Sequence, residues 1–184
     1  MNLLILLIST ISYLLGLSFS IKRRKIPKKL SKFVFFGFFI GVFLVGNIVT
    51  VVVEITQYKN LPFSISSLIC APVTEEISKY LGILLFGFLL TKKQVSKLEI
   101  IRSSGGIGLG FGSFETFAYI IEGASHQATI SRLLVSVPFH ISSAMLIGFG
   151  FAEKEKIMGV LILILAIALH ALSNLLAVLN PLIQ

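Results

Sequence analysis

The sequence predicts an all-α polytopic transmembrane helix bundle of about six spans, and three observations carry that reading. Mean hydropathy is +0.97. Hydrophobic residues make up 55% of the 184 and charged residues 13%, about half the charged fraction of an ordinary soluble domain. Apolar runs of roughly 20 residues, enough to cross a bilayer as helix, recur from end to end. The runs place spans at about 2–21, 33–53, 64–90, 104–121, 131–151 and 158–179, joined by short loops in one domain covering 1–184.

Each span has its own reason. The first has no Lys or Arg before its apolar run and is followed at once by Lys22, Arg23, Arg24 and Lys25, which predicts a retained helix rather than a cleaved signal peptide. The second carries a Phe-rich run, Phe33 to Phe43, expected to pack against lipid. The third is too long for one straight helix. Pro72 lies in its middle and is expected to kink it or to start a helix with Glu75 and Glu76 in the first turn, beside the positive dipole end. The fourth carries Gly106, Gly108, Gly110 and Gly112, two overlapping small-xxx-small pairs that admit another helix closely. On the fifth, Arg132, Ser136 and His140 repeat at four-residue intervals as one polar stripe. On the sixth, His170 and Asn174 stand one turn apart.

Basic residues orient the bundle. The loops at 22–32, 91–103 and 152–157 hold thirteen Lys and Arg, against Lys59 and Arg132 on the opposite side. The first group is therefore cytoplasmic and both termini lie outside, in a cell membrane expected to be bacterial. The net charge of +8 follows from this loop distribution, so no nucleic-acid partner is indicated and the bilayer is the expected surrounding. Cys70 is the single cysteine, allows no intrachain disulfide and is read as packing.

The chemistry concentrates where charge is least expected. The chain has eight acidic residues, all Glu, and two of them, Glu75 and Glu76, stand together with Lys79 in the middle of the third span. A charge inside hydrocarbon costs a few kcal/mol even on the lenient scale, so such a cluster marks a functional site by default. Lys79 lies within a helical turn of both carboxylates and can offset part of that cost. Glu115, His140, His170 and Asn174 are the other polar residues stranded in spans, with Arg132 at an outer span end. With 1.5 Å of rise per residue, Glu115 lies roughly 9 Å below the outer surface, the two His roughly 14 Å and the Glu pair about 16 Å. Four helices thus bring ionisable groups to one outer-leaflet layer.

In sequence order these residues resemble a known family. Ala71 to Lys79 is similar to the Glu-Glu-x-x-Lys motif of the PrsW family of intramembrane endopeptidases. Gly108 to Glu115 resembles its Phe-x-x-x-Glu motif, Arg132 with Pro138-Phe139-His140 and Gly148 its third, and His170 to Asn174 its His-x-x-x-Asn motif. The wider superfamily, with the CAAX prenyl proteases and bacteriocin self-immunity proteins, usually shows Glu-Glu-x-x-x-Arg and a His in the second motif. Lys79 and Glu115 favour the PrsW branch. The resemblance implies hydrolysis of a peptide bond in a membrane-anchored protein, on the pattern of site-1 cleavage of an anti-sigma factor. It implies catalytic roles for Glu75, Glu76, Glu115, His140 and His170, with Lys79, Arg132 and Asn174 in support. Glu75 or Glu76 would activate water, His140 would assist, and His170 with Asn174 would polarise the scissile carbonyl. His and Glu can ligate zinc, yet no His-Glu-x-x-His spacing occurs, so a metal-free glutamate mechanism and a divalent metal such as zinc both stay open. Two other readings use the same residues: a proton- or cation-coupled small transporter, disfavoured by apolar inner half-spans, and a catalytically silent immunity or scaffold protein of the same fold.

Overall fold

The computed structural model describes residues 28–90, 95–153 and 155–179; the predicted first span at about 2–21 lies outside them. Among the described residues every regular element is helical, and five rods follow one another. These are α1 over 28–56, α2 over 63–90, α3 over Lys97–Ile121, α4 over His126–Phe151 and α5 over Lys156–Leu179. Each overlaps one predicted span, from the second to the sixth. Three helices are long and apolar enough to cross a membrane: Lys32–Thr56 within α1, α4 and α5. The predicted count of about six is therefore met by three on length and composition. Glu75, Glu76 and Lys79 raise the charge of α2, and glycine and serine dilute α3.

Local chemistry sets the ends of the rods. Gln57 takes a left-handed conformation (φ 54°) and closes α1. Ser96 caps α3, its side chain accepting from the Glu99 backbone N–H while the Glu99 carboxylate accepts from Ser96. Gly123, at φ 94°, turns the chain between α3 and α4, where Ser125 caps the next helix.

Both helices that carry Pro in their interior widen just before it. A π-turn at Ser66–Cys70 precedes Pro72, and another at Arg132–Ser136 precedes Pro138, each ending two residues before the ring. A proline lacks the N–H and its ring crowds the carbonyl four residues back; a wider turn accommodates both faults without breaking the rod. The expectation that Pro72 would put Glu75 and Glu76 in a first turn is corrected accordingly. The chain is already helical from Phe63, so the dipole end lies several turns away and their burial is offset by side chains instead.

The glycines of α3 act as two pairs with two partners. A Cβ on Gly106 or Gly110 would strike the carbonyls of Val34 and Phe38 on α1, and a Cβ on Gly108 the carbonyl of His140 on α4. At Gly112 it would press on the His140 ring at 3.2 Å. α3 is thereby packed between α1 and α4, buried from Ser103 to Gly112. Around it lies an apolar core that includes Val45, Ile83, Phe86, Ile107, Phe111 and Ile147. Large side chains such as Phe43, Ile55, Phe88, Ile121 and Leu134 face outward, as a lipid-facing surface requires. The Phe run of α1 follows that expectation at Phe35, Phe36, Phe39 and Phe43, but Phe33 turns inward onto Phe86.

Ion pairs tie the loops at each end of α3. Lys97 at its start pairs with Glu153 after α4, and Glu122 at its finish meets Lys59 at 3.6 Å. The first pair joins loops expected in the cytoplasm and the second joins loops expected outside. Gly108→Ala or Gly110→Ala forces a methyl into partner backbone, so either is expected to cost about 1–3 kcal/mol of stability. Gly46→Ala would meet only the Phe114 ring, a side chain that can turn away. A thermal melt in detergent checks this: equal losses at Gly108 and Gly46 would contradict the backbone-contact account.

Candidate active site

Lys79 is the centre of the buried polar set. Its side chain has no exposure, and its Nζ donates to Glu76 Oε1 at 2.7 Å, to His140 Nδ1 at 2.9 Å and to Ser143 Oγ at 3.1 Å. An ammonium has no lone pair, so His140 Nδ1 must accept and the ring proton sits on Nε2. That Nε2–H donates to Glu115 Oε2 at 2.8 Å. Arg132 Nη2 reaches the same oxygen at 2.6 Å, and its guanidinium lies 3.8 Å from the centre of the Tyr119 ring.

The second histidine continues the chain of bonds. His170 Nδ1 is 2.6 Å from Glu76 Oε1, the oxygen that also receives Lys79. Its other ring nitrogen, Nε2, lies 3.7 Å from Glu75 Oε2. That Glu75 oxygen is buried and has no hydrogen-bond partner. A carboxylate oxygen and an imidazole nitrogen at that separation can share a proton, a water or a cation. Phe111 and Phe139 stand edge-on to the two imidazoles, which are themselves 5.4 Å apart.

Seven of the eight residues singled out from the sequence therefore meet in one cluster. Asn174 stands apart from its ions: its amide donates to the Ser67 carbonyl at 2.8 Å, satisfying backbone in the π-turn ahead of Pro72. Glu75 and Glu76 separate in role. Glu76 is fully buried and gives one oxygen, Oε1, to both Lys79 and His170 while its Oε2 makes no hydrogen bond, whereas Glu75 lines a cavity of about 610 Å³. Glu115, Tyr58, Tyr119, Glu54 and Glu122 line it too. Sequence reasoning missed Ser143 and both tyrosines, and it assigned no role to Glu54, Lys59 or Glu122. Ser143 three residues after His140 and Tyr119 four after Glu115 were readable as same-face neighbours. Tyr58, in the loop after α1, was not. Burial, and then the charge of nearby Glu75, push the Tyr58 hydroxyl up to about 12, so it stays a donor at any working pH.

A model described as PrsW family intramembrane metalloprotease matches residues 26–184. The chain belongs to the PrsW family. No curated protein and no solved structure matches it. This PrsW-family chain is thus an intramembrane protease, and the bilayer and a protein substrate are its partners. The family description implies a metal, and the donor set can be tested for one. Glu75, His140 and His170 offer ligand atoms within 4.8 Å of one another, an O,N,N set suited to zinc. Bonds of 2.0–2.1 Å would draw these atoms to about 3.3 Å apart. Glu75 Oε2 has no hydrogen bond to give up and already lies 3.7 Å from His170 Nε2, while His140 must surrender Lys79 or Glu115 to join them. The set fits a divalent metal on those terms.

Lys79→Met would leave Glu76 buried without its cation, expected to cost about 3–5 kcal/mol. Adding Glu76→Gln should recover part of the loss. Thermal unfolding of the three variants in detergent measures this, and no recovery in the double variant would count against the pairing.

Proposed function

We propose that the protein hydrolyses a peptide bond of a membrane-anchored protein with Glu75 as general base. The observation that carries this reading is Glu75 on the cavity wall, its Oε2 buried without a hydrogen bond and 3.7 Å from His170 Nε2. A water seated between Glu75 Oε2 and His170 Nε2 would lose its proton to Glu75 as it attacks the carbonyl. The proton then passes to the leaving amine. A carboxylate on the cavity wall within reach of that water is placed to take the proton.

The developing oxyanion needs a donor. His140 Nε2–H, now held by Glu115, is proposed for that role, with Arg132 keeping Glu115 charged so that the ring stays oriented. Lys79 and Glu76 hold the two imidazoles in their tautomers. Asn174 acts through the π-turn that aims Glu75.

The proposed setting is one transmembrane domain of about six spans, in a bacterial cell membrane, with both termini outside and the cavity opening on the outer face. Glu54, Lys59 and Glu122 around that cavity belong to the loop end expected outside, which supports a water path from that side. An anti-sigma-factor-like substrate is in keeping with the family resemblance.

Co-expression with a tagged single-span substrate tests the base. Glu75→Gln should lower cleavage by about 10²–10⁴-fold while leaving the melting temperature nearly unchanged. Glu76→Gln should lower the melting temperature, because Lys79 loses its carboxylate. Retained cleavage in a well-expressed Glu75→Gln protein would overturn the reading. Repeating the assay in detergent with chelator, then with zinc restored, decides whether a metal is required.

A further inference from the structure

The distribution of acid in this basic chain is uneven in a way the catalytic cluster does not explain. Net charge is +8, with sixteen Lys and Arg against eight Glu. Four of those Glu, at 54, 75, 115 and 122, line one cavity, and Lys59 is the one basic wall residue among the described residues. Pairing removes two of the four. Glu115 is neutralised by Arg132 from behind, and Glu122 by Lys59. Glu54, exposed, has no ion-pair partner among the described residues, and Glu75 has a buried oxygen without a hydrogen bond, 3.7 Å from His170 Nε2.

An acidic group alone would be only a solvated face. Here Glu75, buried and with no hydrogen bond to its Oε2, lines the same cavity and gives a ligand there something to bind, and the walls add a second chemistry. Tyr58, Phe111, Phe114 and Tyr119 line the same space. Aromatic walls suit the apolar stem of a long cationic side chain, and carboxylates beside them suit its head. A substrate Asp or Glu would instead meet uncompensated negative charge.

Building on the protease reading, we propose that this cavity is a specificity subsite for a Lys or Arg side chain of the substrate. The cation lies against Glu54 and the Lys59–Glu122 pair while the scissile peptide lies over Glu75. Glu54 is the specificity-determining residue and takes no part in bond cleavage.

The test uses the full chain in detergent and synthetic single-span peptides with a fluorescent tag. A Lys, Gln or Glu is walked along the segment that adjoins the outer end of the span, and both cleavage and binding anisotropy are measured. At one or a few positions the Lys peptide should be favoured about tenfold over the Gln peptide, mainly through KM, with the Glu peptide poorer still. Glu54→Gln should erase the Lys advantage while leaving the Gln-peptide rate unchanged, and Glu54→Lys should favour the Glu peptide. Equal handling of all three peptides by the wild type overturns the subsite but leaves the protease standing. A Lys preference that survives Glu54→Gln overturns it too. If no peptide is cut yet the Lys peptide binds more tightly through Glu54, the subsite stands and the protease reading falls.

Discussion

A single ammonium with no access to water organises the polar interior. Lys79 can stay charged inside the bundle only if side chains replace its hydration shell, because an isolated buried ion is far more destabilising than a paired one. It finds Glu76 on its own helix and His140 with Ser143 on α4, and Glu76 passes the link to His170 on α5. One cation thus ties three helices. The same bonds divide the labour among the remaining groups: they consume the His140 lone pair, aim its N–H at Glu115, and spend Glu76 Oε1. Glu75 Oε2 and Glu76 Oε2 are both left without a hydrogen bond, and of the two residues Glu75 is the one that lines the cavity.

That network forms only because backbones come closer than side chains would ordinarily permit. In a bilayer, lipid tails are as apolar as leucine, so helices associate through tight packing and hydrogen bonds rather than by escape from water. The alternate glycines of α3 let α1 approach on one side and α4 on the other, and the second contact is at His140 itself. The π-turns ahead of Pro72 and Pro138 add a rotation that an unbroken α-helix would lack, immediately before Glu75 and His140. Packing and catalysis are therefore not separable here, since the residues that admit the neighbouring helix also set the register of the ions.

The legible part of the sequence was the part governed by periodicity and burial cost. Apolar run length located five of the rods, and the rarity of acid in hydrocarbon singled out residues that meet in space. The depth of Glu115, His140 and His170 could be estimated because rise per residue is fixed once a helix is accepted. What could not be read was rotation about each helix axis and everything contributed by loops. Adjacent helical residues point about 100° apart, so nothing in the linear order separated Glu75 from Glu76; the π-turn and the position of His170 did. Pro72 was misread because a proline signals disturbance without saying whether the chain starts, bends or widens. Tyr58 escaped notice because a lone aromatic after a left-handed Gln57 carries no periodic signature. Asn174, expected beside the substrate, turns to backbone because the π-turn exposes a carbonyl that a regular turn would have satisfied.

The two ends of the bundle differ in a way that bears on mechanism. Toward Lys97, the interior is closed by Phe33, Ile83, Phe86, Ile107 and Ile147, and the buried hydroxyls of Ser103 and Ser104 bond to carbonyls of their own helix. Toward Lys59, the interior opens into the cavity that reaches Glu75 and Glu115. A through-path for ions needs polar groups on both sides of the cluster, and the described residues supply them on one. Hydrolysis asks for the opposite arrangement: water admitted from one face, a dry floor on which a carboxylate is left under-solvated, and fixed dipoles where charge will appear. The asymmetry suits the proposed hydrolysis, because an opening at the second end would admit water to Glu75 from both sides of the bundle.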